Sequence, residues 1–84
     1  MASSGKIVRT ETNSADFVEI VIDKPLVSVA IHNRFYPVSG RGHAKCDPTD
    51  AWSEDFGVQL AYSRALARAS NRLIKHLVKS KQGV

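Results

Sequence analysis

Five cations stand at helical spacing near the C-terminus: Arg64, Arg68, Arg72, Lys75 and Lys79. At 100° per residue they fall within an arc of roughly 80°, so on a helix they form one ridge. Arg64/Arg68, Arg68/Arg72 and Lys75/Lys79 are like-charge i,i+4 pairs, each unfavourable by about 0.2–0.5 kcal/mol, and no acid is interleaved to relieve them. Such a row neutralises phosphates and releases counterions, which makes RNA or DNA the expected partner. The helix macrodipole accounts for Lys75, Lys79 and Lys81 but reaches only the last turn, so it leaves the three arginines unexplained. An acidic protein surface is the alternative partner, and a solvated helix face is the plain alternative to both.

Other residue types with chemical potential lead less far. His43 and Cys46 form an H-x2-C pair with Asp47 and Asp50 close behind, but a structural zinc needs four ligands and no second Cys/His cluster exists. Cys46 as a nucleophile with His43 as its base lacks a third group and an oxyanion device, so neither an enzyme nor a cofactor is expected. Gly40-Arg41-Gly42 lacks the six-residue dinucleotide fingerprint and the Gly-Lys-Ser/Thr ending of a P-loop, and reads as a bulge or tight turn entering a strand. If that segment is extended, Arg41, His43 and Lys45 share one side, and Arg41 and Lys45 extend the basic surface. Base stacking is disfavoured, because the strands offer only Phe17, while Phe35, Tyr36, Trp52 and Tyr62 lie elsewhere. Trp52 reads as a hydrophobic staple before the helix.

The elements that must position these residues are visible in the spacing of apolar positions. Val18, Ile20 and Ile22 alternate with Glu19 and Asp23, and Val27, Val29 and Ile31 alternate with Ser28, Ala30 and His32, which is the period of half-buried strands. Asp23-Lys24-Pro25 separates the two, and Val38 to Cys46 reads as a further strand with glycine-marked irregularity. Lys6 to Thr10 fits either a short edge strand or part of a tail. Ser53 is the expected N-cap of a helix of about 24 residues, opened by Glu54 and Asp55 and free of proline. On that helix Phe56, Leu60, Leu66, Ala67, Leu73, Ile74, Leu77 and Val78 gather on one side, which is expected to face the sheet.

The whole chain is 84 residues with a net charge of +4. Residues 1–55 hold six Lys/Arg against eight Asp/Glu, and residues 56–84 hold six against none, so the helix carries the positive field. The length allows one domain: residues 1–15 as a tail or edge strand, 16–80 as a single α+β unit, and 81–84 as a tail. The fold expected is an antiparallel meander of three to four strands packed by one long C-terminal helix. One helix covers one sheet face, so Phe17, Val21, Leu26 and Ala30 on the other are expected to be hidden in a homodimer. The absence of a membrane span, of a signal-peptide core and of a second cysteine gives a cytoplasmic expectation.

The stretch Gly40 to Asp50, followed by Phe56 to Leu66, resembles a family of small bacterial and phage proteins classed as dsRBD-like (double-stranded-RNA-binding-domain-like), a family with no established function. The resemblance rests on Gly40, Gly42, Ala44, Pro48, Asp50, Gly57, Leu60, Ala61, Arg64, Ala65 and Leu66, and spans residues 16–78. Lys45 stands where that pattern has arginine, and Ser63 where it has alanine. Duplex-RNA-binding domains proper use an N-terminal helix and a lysine cluster opening their second helix, neither of which is present. The resemblance therefore implies the sheet-plus-helix fold and a dimer, and leaves the ligand open. The function expected is a non-enzymatic binding module, nucleic-acid- or ribosome-associated through the basic helix face. The alternative is a phage or stress-related module that binds an acidic protein surface.

Overall fold

Valine and isoleucine at every second position build the two central strands, since branched side chains pack well on a pleated surface. The computed structural model describes residues 6–46, 51 and 53–82. Strands β1 (Ile7–Thr12), β2 (Asp16–Asp23), β3 (Leu26–Asn33) and β4 (Ser39–Lys45) form one antiparallel sheet in the order β1-β2-β3-β4. Helix α1 (Glu54–Gln82) lies across one face. The chain is thus an α+β fold, a four-stranded meander packed by one C-terminal helix.

Short polar connections set the register. Asn13 Oδ1 accepts from the N–H groups of Ala15 and Asp16 at 2.8 and 2.7 Å, and Asn33 Oδ1 accepts from those of Phe35 and Tyr36 at 2.8 and 2.9 Å. These are local turns in which asparagine replaces a backbone partner. Arg34 ties the two together, donating from its side chain to Asn13 O and from its backbone to Ala15 O. At the helix entry Ser53 Oγ accepts from Phe56 N–H at 3.3 Å, so Ser53 is the N-cap. The helix runs for 29 residues, longer than its apolar pattern alone indicates, and carries Lys79 and Lys81 in its last turn where the dipole favours cations.

The core is Val18, Ile20, Ile22, Val27, Val29 and Ile31 from the sheet, with Ala44 from β4 and Ala61, Ala65 and Ala69 from the helix. Burial of each large side chain is worth roughly 1.5–3 kcal/mol. The helix contribution corrects the expectation from its pattern. Its sheet-facing row is three alanines, whereas Phe56, Leu66, Ala67, Ile74, Leu77 and Val78 are exposed and Leu60 and Leu73 only half-buried. The packed row lies roughly 160° around the helix from the centre of the large apolar side chains.

The reason lies in β4. Its helix-facing positions are Gly40, Gly42 and Ala44, all buried. A Cβ built on Gly40 would fall on the backbone of Ala65 and Ala69, and one on Gly42 on the backbone of Ala61 and Ala65. These glycines therefore mark backbone-to-backbone contact within a regular strand, not the bulge or turn expected of them. Small residues on both sides allow an approach that leucines would prevent. The bulk that fills the core comes from β2 and β3, with Val58, Leu60 and Tyr62 packed against it.

Candidate functional site

Close approach of α1 to β4 brings the arginine row against a strand edge. Asn33 N–H donates to Val38 O, so residues 40, 42 and 44 direct their backbone groups to β3, while 39, 41 and 43 direct theirs outward. Three of those outward carbonyls are capped. Arg64 donates to His43 O at 2.7 Å, Arg68 to Arg41 O at 2.9 Å and Arg72 to Ser39 O at 2.8 Å. The helix runs antiparallel to the strand, and four helical residues advance about 6 Å while two strand residues advance about 6.7 Å. One turn of helix thus matches one strand repeat, and the three guanidinium groups form a ladder along the edge.

The sequence signal for this ladder is a four-residue repeat, Ala-x-x-Arg, three times over residues 61–72, set against Gly-x-Gly-x-Ala over 40–44. Each alanine seats the helix and the arginine after it reaches the carbonyl. A reading of charge alone finds the arginines but misses their backbone partners, because the match needs both elements at once. The arginines lie away from the large apolar side chains and border the buried alanine row.

All three arginines remain exposed, and each carbonyl bond occupies one of five N–H donors on its guanidinium. Lys75 and Lys79 continue the ridge beyond the end of β4, where the Tyr36 and His76 rings meet at 5.6 Å between centroids. Tyr36 is exposed and its ring meets His76, one helical turn beyond Arg72, so aromatic surface does stand at one end of the ladder. Arg41 and Lys45 are exposed on the opposite sheet face of the same strand, sharing their side with His43. The basic residues therefore wrap the β4 edge from both faces. None of the seven lies within ion-pair distance of a carboxylate among the described residues.

The open sheet face carries polar pairs. Ser28 Oγ and His43 Nδ1 share a hydrogen bond of 3.0 Å, and His32 Nε2 donates to Glu19 Oε1 at 3.0 Å while its ring lies tilted beside Phe17 at 6.2 Å between centroids. A shallow depression of about 210 Å³ lies between them, lined by Glu19, Val21, Ser28, Arg41 and His43 among others. His43 thus turns to Ser28, whereas the Cys46 thiol points to Ala51 O at 3.8 Å. No group of three His, Cys, Asp or Glu among the described residues is placed to hold a metal ion. Asp47, Asp50 and the staple position Trp52 lie outside the described residues. No helix among them is long and apolar enough to cross a membrane. No protein-family model, curated protein sequence or solved structure matches the chain.

Proposed function

We infer that the chain is a non-enzymatic binding module that grips a polyanion, RNA or DNA, along the β4 edge. Arg64, Arg68 and Arg72 are the fixed contacts and Lys75, Lys79, Arg41 and Lys45 the flexible ones. The observation that carries this reading is the ladder: three guanidinium groups held one helical turn apart by backbone carbonyls, with no carboxylate at ion-pair distance among the described residues. A fixed cation has already lost rotamer freedom, so less entropy is lost when an anion docks. Capping a strand edge is itself a structural role, yet it leaves most donors of each fork unused. The resemblance to the dsRBD-like family supports the sheet-and-helix layout in this proposal and supplies no ligand.

The test is a salt titration of binding to mixed RNA and DNA oligonucleotides. Phosphate contact predicts a linear fall of log affinity with log salt. In the Arg68→Gln/Arg72→Gln variant, loss of two contacts makes that slope shallower by roughly 1.4–1.8, from about 0.7–0.9 counterions released per phosphate. An unchanged slope with intact binding assigns the ladder to edge capping alone. Binding to acidic proteins but not to nucleic acid moves the surface to a protein-interaction role.

A further inference from the structure

The two edges of the sheet are treated differently. The β4 edge is capped by the arginine ladder, whereas among the described residues β1 is flanked only by β2, is exposed at every residue and does not touch the helix. Uncapped edges offer rows of N–H and C=O groups to another strand. The direction of those groups follows from the hairpin. Asn13 N–H donates to Asp16 O, so by alternation Ile7, Arg9 and Glu11 exchange bonds with β2, while Val8, Thr10 and Thr12 point theirs outward.

We propose that β1 pairs with β1 of a second copy, antiparallel about a two-fold axis at Thr10, to give a continuous eight-stranded sheet. The side-chain chemistry selects both the occupant and the register. Directly opposed residues share a face, and the outward groups must meet, so the axis passes through Val8, Thr10 or Thr12 for an even-centred pairing or through Arg9 or Glu11 for an odd-centred one. Centring on Arg9 sets arginine against arginine, and centring on Glu11 sets glutamate against glutamate. Centring on Thr10 sets Arg9 against Glu11 of the second copy and Glu11 against its Arg9, two opposite-charge pairs at closely spaced positions. It also aligns Thr10 with Thr10 and Val8 with Thr12, so each outward N–H and C=O of these residues has a partner. The strand is thus complementary to itself in charge and in backbone direction.

A second copy fits this edge better than it fits the open sheet face. There Phe17, Val21, Leu26 and Ala30 are interrupted by Glu19, Ser28, His32 and Arg41, and Val21 and Ala30 are already half-buried. In the edge-paired dimer the two helices lie on the same face, and the two arginine ladders occupy its outer margins.

Sedimentation of the full chain at tens of micromolar tests the proposal and is expected to show a dimer. Arg9→Glu sets like charges opposite one another twice and should raise the dissociation constant about tenfold. Arg9→Glu/Glu11→Arg exchanges the signs and should restore it. Thr10→Pro removes an outward N–H without touching the β1–β2 ladder, so the chain should keep its helical circular dichroism while its dissociation constant rises at least about tenfold. A wild-type chain that stays monomeric overturns the proposal, as does a Thr10→Pro chain that dimerises like wild type. An Arg9→Glu effect that is absent, or that the double exchange fails to reverse, overturns the register and with it the proposal.

Discussion

Gly42 and Gly40 are held to glycine by the helix backbone that lies over them, not by an unusual φ of their own. Gly42→Val would force α1 off the sheet and should destabilise the chain by about 3 kcal/mol or more, at the upper end for overpacking, measurable as a shifted urea midpoint. The arginines carry a related consequence with a change of sign. Relief of like-charge repulsion in Arg68→Gln/Arg72→Gln favours stability by a few tenths of a kcal/mol. Loss of two guanidinium–carbonyl bonds, each worth roughly 0.5–1.5 kcal/mol, outweighs it. The melting temperature of that variant should therefore fall, where charge pattern alone predicts a slight rise. Lys75→Gln/Lys79→Gln removes charge beyond the strand end and should flatten the salt slope with little effect on melting.

For the helix as an element, the decisive quantity is its rotation about its own axis. Ala65 is fully buried against β4, and Leu66, its neighbour in sequence, is 43% exposed. Ala65→Leu should therefore destabilise by about 2–3 kcal/mol, since the small-on-small contact has no space to give. Leu66→Ala should change stability by less than about 1 kcal/mol, because little area is withdrawn from water on folding. Denaturant titration of the pair reads the helix phase directly, and the opposite order of effects would place the leucine-rich side on the sheet. That side, with Phe56, Ile74, Leu77 and Val78, carries large apolar side chains that the helix leaves exposed.

Across the whole molecule, helix cover is graded from β4 and β3 to β1, which the helix does not reach, while β2 and β3 are the strands paired on both edges. Backbone hydrogen exchange should be slowest in β2 and β3 and in the helix between Ala61 and Ala69. The outward amides of Val8, Thr10 and Thr12 should exchange fast in dilute solution and slow as protein concentration rises, because edge pairing is a mass-action event. Concentration-independent exchange at these three amides would leave β1 an ordinary edge. The charge distribution belongs to the same scale: a helix without an acid after Asp55 places the positive field along one margin of the sheet, which is the margin the proposed polyanion role requires.

Alternation at Val18, Ile20 and Ile22 and at Val27, Val29 and Ile31 was enough to establish the central strands and the face each buries, because a one-residue slip would expose every one of these side chains. The long helix, its Ser53 cap and the arginine row on one side of it were equally legible, being properties of local spacing. Which side of that helix meets the sheet was not. Periodicity counts apolar residues on one element, whereas contact depends on the fit between two, and the glycines of β4 make alanine the better complement than leucine. The carbonyl partners of the arginines followed from that same fit. The difference between the two edges is likewise a tertiary fact, since whether a strand end is capped depends on where the helix comes to rest.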